Sequence, residues 1–174
     1  MSSKIGVQNI AHTNGTNAMT VSSGGAIALT SALPVASGGT GHNQAVAFNA
    51  HRNSGGDISS GNVYVFNSTT VNIGNGFNTS TGKFTAPIAG TYFFNTNVLS
   101  HSNTTSNDLQ IRVDGTNIAQ GRSDVGSAAH NSVFVTVIAT LTANQVVDVF
   151  VAGGSGMYGS SGQYATFCGH LIGG

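Results

Sequence analysis

The chain has 174 residues and no formal net charge, with only 6% of its residues charged, against roughly 25% in an ordinary globular domain. Five Lys plus Arg, scattered from Lys4 to Arg122, exclude the cation cluster from which nucleic-acid affinity comes. One Cys excludes an intramolecular disulfide, and no run approaches the ~18 apolar residues of a membrane helix, so neither nucleic acid nor membrane insertion is expected.

Residues 1–43 stand apart. They open on MSSKIGVQNIAHTNG, which lacks an apolar stretch of signal-peptide length. Synthesis in a cytoplasm without general export is therefore expected. A short semi-apolar run covers residues 21–30. Pro34-Val35-Ala36-Ser37-Gly38-Gly39-Thr40-Gly41 then reads as a small-residue linker, because Gly- and Ser-rich segments behave as connectors. The domain boundary falls near residues 42–44. That leaves an arm over 1–43 and a head over 44–174.

From Gln44 onward the chain alternates with period two, as half-buried strands do. Residues 45–50 form the first predicted strand, and residues 64–73 hold one or two more. Residues 83–87 form a short strand that Pro87 ends, since proline has no N–H for a ladder. Residues 91–99 form the clearest strand, with Tyr92, Phe94, Thr96 and Val98 on one face and Phe93 and Leu99 on the other. Leu109, Ile111 and Val113 share a face of the next strand. Asp114-Gly115 signals a tight hairpin, whose two central residues need positive φ, and residues 116–120 return. Residues 132–141 and 145–152 pair across a turn at 142–144, and residues 164–172 close the chain. About ten strands with short turns and no helix fit an all-β sandwich, jelly roll or barrel.

One pattern chooses among these. Gly82, Phe84, Pro87, Gly90, Tyr92 and Phe94 form a central motif. Val46-Ala47-Phe48-Asn49-Ala50 precedes it, Val71-Asn72-Ile73-Gly74 with Phe77 leads into it, Val113-Asp114-Gly115 follows, and Phe167, Gly169 and Leu171 close it. Over residues 46–172 this resembles the C1q domain, which shares the tumour-necrosis-factor fold. The penultimate strand departs from the family: Ala143-Asn144-Gln145-Val146-Val147 has neither the Asp nor the Trp often found there. No collagen-like Gly-X-Y segment precedes the head. The resemblance implies a jelly-roll β-sandwich packed as a homotrimer. Strands apolar on both faces agree, because both faces need cover. Tyr92, Phe94, Val98, Phe167 and Leu171 are then expected in the core, and Phe93 and Leu99 toward the trimer interface.

The arm has a resemblance of its own. Asn14-Gly15-Thr16-Asn17-Ala18-Met19-Thr20-Val21 and Leu33-Pro34-Val35-Ala36-Ser37-Gly38-Gly39-Thr40-Gly41 are similar to segments of bacteriophage tail-fibre and virion-appendage proteins. This implies an arm that docks on other virion proteins, a virion location, and a non-enzymatic tail-fibre, head-fibre or capsid-decoration protein that attaches to a host surface or stabilises the particle. A free extracellular C1q-like lectin that binds glycans is the alternative.

No chemistry of bond-making is legible. None of the six His lies three or four residues from another, so no metal pair with that spacing is present. His170 reads as a surface or threefold-axis residue. Asp114 serves its turn, and Cys168, in an apolar run, reads as a small hydrophobe. Some family members bind calcium at the trimer apex, and Asp124 lies near where such a ligand would come from. Calcium needs six or more oxygens, and this loop offers few, so no cofactor and no enzyme is expected. Recognition is assigned to loops at 100–107, 122–130 and 153–162. Their candidates are Asn103, Asn107, Arg122, Asp124, His130, Met157 and Tyr158, with Tyr158 the natural anchor for a sugar or protein surface. A host-surface glycan or protein is the expected ligand.

Overall fold

Alternation in the sequence becomes alternation in burial. The computed structural model describes residues 9–11, 15, 17–31, 45–100, 106–124, 131–154, 156–159 and 163–173. Every described regular element is a β-strand, and the chain forms two units, Met1–Asn43 with Gly173–Gly174, and Gln44–Ile172.

The first unit holds β1 (Asn9–Ala11), β2 (Asn17–Val21) and β3 (Ile27–Leu29), an antiparallel sheet in that order. The sequence reading saw only a semi-apolar run here. Strands of three and five residues are too short for periodicity to declare. The predicted linker at 34–41 lies outside the described residues.

The second unit holds eleven described strands in two sheets. The first sheet is β11 (Thr116–Ser123), β10 (Asn107–Val113), β13 (Val146–Gly153), β8 (Lys83–Thr85) and β7 (Phe77–Asn78), with β5 (Asn62–Val63) also paired to β13. The second is β12 (Ser132–Leu141), β9 (Gly90–Leu99), β14 (Ala165–Gly173), β4 (Ala47–His51) and β6 (Ser68–Ile73). The Asp114-Gly115 hairpin forms as its residues require, with φ of 49° and 81°. The segment 64–73 is strand only from Ser68. Tyr64 and Phe66 lie between strands, yet both are fully buried.

The core lies between the sheets and is built on aromatics. Phe48 stands at its centre, with ring centroids of Phe77, Phe84 and Phe167 each 4.9 Å away. Aromatic pairs of this kind contribute ~0.5–1.5 kcal/mol each beyond their burial. Tyr92, Phe94, Val98, Leu109, Ile111, Val147, Val149 and Val151 complete the layer. Leu171 packs on the core while only half-buried. Thr96 is buried among these side chains, and its hydroxyl donates to the Thr166 carbonyl at 2.9 Å. Gly169 is there for closeness: a Cβ would lie 2.6 Å from Phe94 Cδ1 and 2.7 Å from Phe48 Cε1.

Candidate recognition and assembly surfaces

The two sheets present unlike outer faces. On β12 the residues pointing away from the core include Phe134 and Ile138, which are 64% and 63% exposed. Ile138 pairs with Phe93 of β9. The Phe93 ring lies 5.3 Å from that of His170 on β14, His170 pairs with Ala47 of β4, and Ala47 pairs with Ile73 of β6. Ile138, Phe93, His170, Ala47 and Ile73 thus make one band, apolar except at His170, across all five strands. Val71, Leu99 and Ile172 extend this face. The oxygen of Asn97, opposite Phe134 on the same face, is buried and has no hydrogen-bond partner among the described residues. Cys168 lies on the same face, where burial pushes its thiol above the ordinary range. That disfavours the thiolate and fits the small-hydrophobe reading.

The outer face of the other sheet is closed by its own charges. Arg112 grips Asp148 with both Nε and Nη2, at 2.8 and 3.0 Å, and lies 3.6 Å over the Phe150 ring. Lys83 Nζ reaches Asp148 at 3.7 Å. Arg122 grips Asp108 in the same two-pronged way, at 2.6 and 2.9 Å, and that guanidinium holds the Asp108 carboxyl below the usual carboxylate range. Gln110 and Gln120 bond to each other at 3.0 Å.

A third region lies where residues 52–59 meet residues 156–159. Arg52, 7% exposed, organises it. Its Nε donates to the Gly159 carbonyl at 2.9 Å, Nη1 to Val65 at 2.7 Å and Nη2 to Gly56 at 2.9 Å. Asp57 accepts from the Gly159 amide at 2.9 Å. The Tyr64 hydroxyl donates to the Tyr158 carbonyl at 2.6 Å, and burial keeps that phenol protonated well above its usual range. Tyr158 and the exposed Tyr164 then meet edge to face at 6.0 Å.

The predicted ligand residues separate accordingly. Met157 is fully buried and bridges both Ile58 and Ser100, so it is a core residue and not a loop anchor. Asn107 is also fully buried, and its oxygen accepts from the Gly156 amide at 3.2 Å. Arg122 and Asp124 are exposed on or just after β11, with Arg122 committed to Asp108. Tyr158 is half-buried beside Tyr164. Asn103 and His130 lie outside the described residues. Sequence reasoning missed Arg52 and Tyr164. A lone Arg after a strand carries no motif, and Tyr164 read only as the start of a strand. Among the described residues no three His, Cys, Asp or Glu converge on a point where a metal could sit.

Two antiparallel sheets in this order, closed over an aromatic core, define an all-β jelly roll. A C1q domain model matches residues 47–172, and the chain belongs to that family. Among curated proteins it is similar to "Complement C1q tumor necrosis factor-related protein 3" of Mus musculus and of Homo sapiens, each 28% identical over 116 residues. Those matches cover 62% of this chain and 44% of the relative, so the chain spans less than half the length of these proteins. Among solved structures, the "Globular Domain of Zebrafish Complement 1qA protein" superposes with a TM-score of 0.62 at 20% identity, covering 73% of this chain and 97% of that one. "Eiger TNF from S. frugiperda" gives 0.62 at 14% identity, covering 75% and 93%. Murine APRIL gives 0.59 at 16% identity, covering 74% and 99%. These structural likenesses bear on the fold. The family match begins at residue 47, and nothing in these likenesses supports the tail-fibre resemblance of residues 1–43.

Proposed function

We propose that three copies of this chain pack through the outer face of the β12–β9–β14–β4–β6 sheet, and that the resulting head is a non-enzymatic recognition module acting outside the cell. The observation that carries the reading is the contrast between faces. One sheet carries an apolar band five strands wide. The other satisfies its own charges. Contiguous exposed apolar surface of this kind marks an interaction site, and three identical faces close around one axis. Membership of the C1q family and the complement-related names of its relatives support the extracellular setting over the virion.

The ligand surface in this reading is the Tyr158–Tyr164 pair with the loops beside it. Paired tyrosines offer flat apolar area and hydroxyls at low entropic cost, which suits a sugar or a protein patch. Arg52 holds the segment in place. The test is binding of the intact chain to an array of immobilised glycans and surface proteins. Tyr164→Ala should weaken capture of whatever is retained while leaving the melting temperature within a few degrees. Equal capture by parent and variant would move the ligand site elsewhere, and no retention of any probe would overturn the recognition reading.

A second reading, a virion appendage docked through residues 1–43, rests on the resemblance of residues 14–21 and 33–41 to tail-fibre segments. Capsid, portal or tail genes beside the coding sequence would support it. Incorporation into particles of a chain lacking residues 1–43 would refute the docking role.

A further inference from the structure

The arm's sheet also has two unlike faces. Ile10 pairs with Met19, and Met19 with Leu29, so these three form a row across the strands. Val21 pairs with Ile27 two positions along. Period two places all five side chains on one face. The other face carries Asn9, Thr20 and Ala28 in a row, with Ala18 alongside. The apolar side lies open: Ile27 is 65% exposed, Leu29 50% and Ile10 49%. Among the described residues, three strands of three, five and three residues have no second layer of their own, and a sheet with one apolar face is stable only against another layer.

The sequence bears on what that layer is. Between Lys4 and Arg52 there is no Asp, Glu, Lys or Arg. Nothing in this stretch repels a second copy, and β1 and β3 lack the charges and prolines that guard a free strand edge. This face is apolar apart from Asn17 at its edge, and an apolar face is complementary to itself. Tethering then selects the partner. The 13 residues from Ala32 to Gln44 span at most ~45 Å when fully extended. In a head that trimerises, two other arms are therefore always within reach, at an effective concentration in the millimolar range.

We propose that the three arms of one trimer pack their Ile10, Met19, Val21, Ile27 and Leu29 faces together, forming a second trimeric element N-terminal to the head. The tethering step rests on the head trimer proposed above; the two-faced sheet and its missing charges do not.

The test uses the full chain with Cys168→Ala, carrying either Leu29→Cys on the apolar face or Ala28→Cys on the polar one. Mild oxidation should convert the Leu29→Cys chain to disulfide-linked dimers about tenfold faster than the Ala28→Cys chain, since both share one tether and differ only in facing. Equal rates would overturn the inference. A second variant, Ile27→Asn with Leu29→Asn, should speed amide exchange in residues 17–21 by about tenfold or more, as expected when a local opening equilibrium loses its cover. Unchanged exchange there would overturn it as well. Mass measurement separates the two readings. If the Asn variant stays trimeric with a loosened arm, both stand. If it falls to single chains, the arm holds the trimer, which supports this inference and overturns assembly by the head alone. A parent chain that is monomeric overturns both.

Discussion

Replacing Arg52 by methionine keeps an unbranched apolar stem in its slot and removes all three donors at its end. The carbonyls of Gly159, Val65 and Gly56 lose bonds of 2.9, 2.7 and 2.9 Å. Hydrogen bonds from a charged donor contribute roughly 1.5–3 kcal/mol each. Against their sum stands the cost of keeping a guanidinium out of water, several kcal/mol even after relaxation. The Val65 and Gly56 bonds are only partly buried, so water replaces part of what those carbonyls lose. The Gly159 bond is buried, and its carbonyl pays in full. Loss of the cation from beside the Tyr64 ring, 5.6 Å away, adds ~0.5–1 kcal/mol. The net expectation is a loss of about 3 kcal/mol, which lowers the melting temperature by about 6–12 °C in a domain of this size. Parent and variant must be melted at one protomer concentration, because assembly adds to apparent stability. Hydrogen exchange locates the effect. The amides of Ile58 and Tyr158, which donate to Met157 and Leu99 carbonyls at 2.9 and 2.8 Å, should exchange faster, while those of β12 should not. Arg52→Lys should recover little, since one ammonium does not reproduce a planar fork. A loss below ~1 kcal/mol, with exchange at Ile58 and Tyr158 unchanged, would refute the claim that Arg52 holds residues 156–159 in place.

Gly169→Ala should cost about 1–3 kcal/mol by overpacking, because its Cβ meets the Phe94 and Phe48 rings at 2.6 and 2.7 Å; denaturant midpoints equal to the parent's would count against a tightly filled core. Asp108 is held below the ordinary carboxylate range, first by its hydrogen bond from Arg122. Its contribution is therefore present above the unfolded value of ~3.9 and is lost as pH falls through the lower folded one. Asp108→Asn should flatten the acid limb of the stability profile in that window, and an identical limb would contradict the pairing. The Cys168 thiol, raised by burial, should still alkylate slowly in the native protein as pH passes the ordinary thiol value of ~8.5, and quickly at that pH once the chain is denatured. Rapid native labelling at neutral pH would overturn its burial.

The head was legible because its signals are local and repeated. In residues 91–99 each second side chain is bulky, and that alternation fixed both faces of β9, core and exterior. Asp114-Gly115 named its own turn. Tyr64 and Phe66 misled, because two aromatics at period two look like a strand, whereas here they fill the core from a connection. The proposed ligand surface was far less legible. Asn107 and Met157 sit in sequence among Gly, Ser and Asn, which reads as exposed loop, yet Asn107 opens β10 and isolated bridges to Ile58 and Ser100 draw Met157 inward. Arg52 bonds to carbonyls up to 107 positions away, and backbone carbonyls leave no mark in a sequence. The arm's sheet escaped because its strands are short, and its two faces appear only when the register joins Ile10, Met19 and Leu29.

The central claim is that the outer face of the β12–β9–β14–β4–β6 sheet joins three chains. Sedimentation of the intact protein tests it most directly, run beside a variant carrying Phe134→Asp and Ile138→Asp. The account predicts a parent species of three times the 17.5 kDa chain mass, and a folded variant at the mass of one chain with an unchanged far-ultraviolet spectrum. A parent at single-chain mass across the concentration range, or a variant that sediments with the parent, would contradict it.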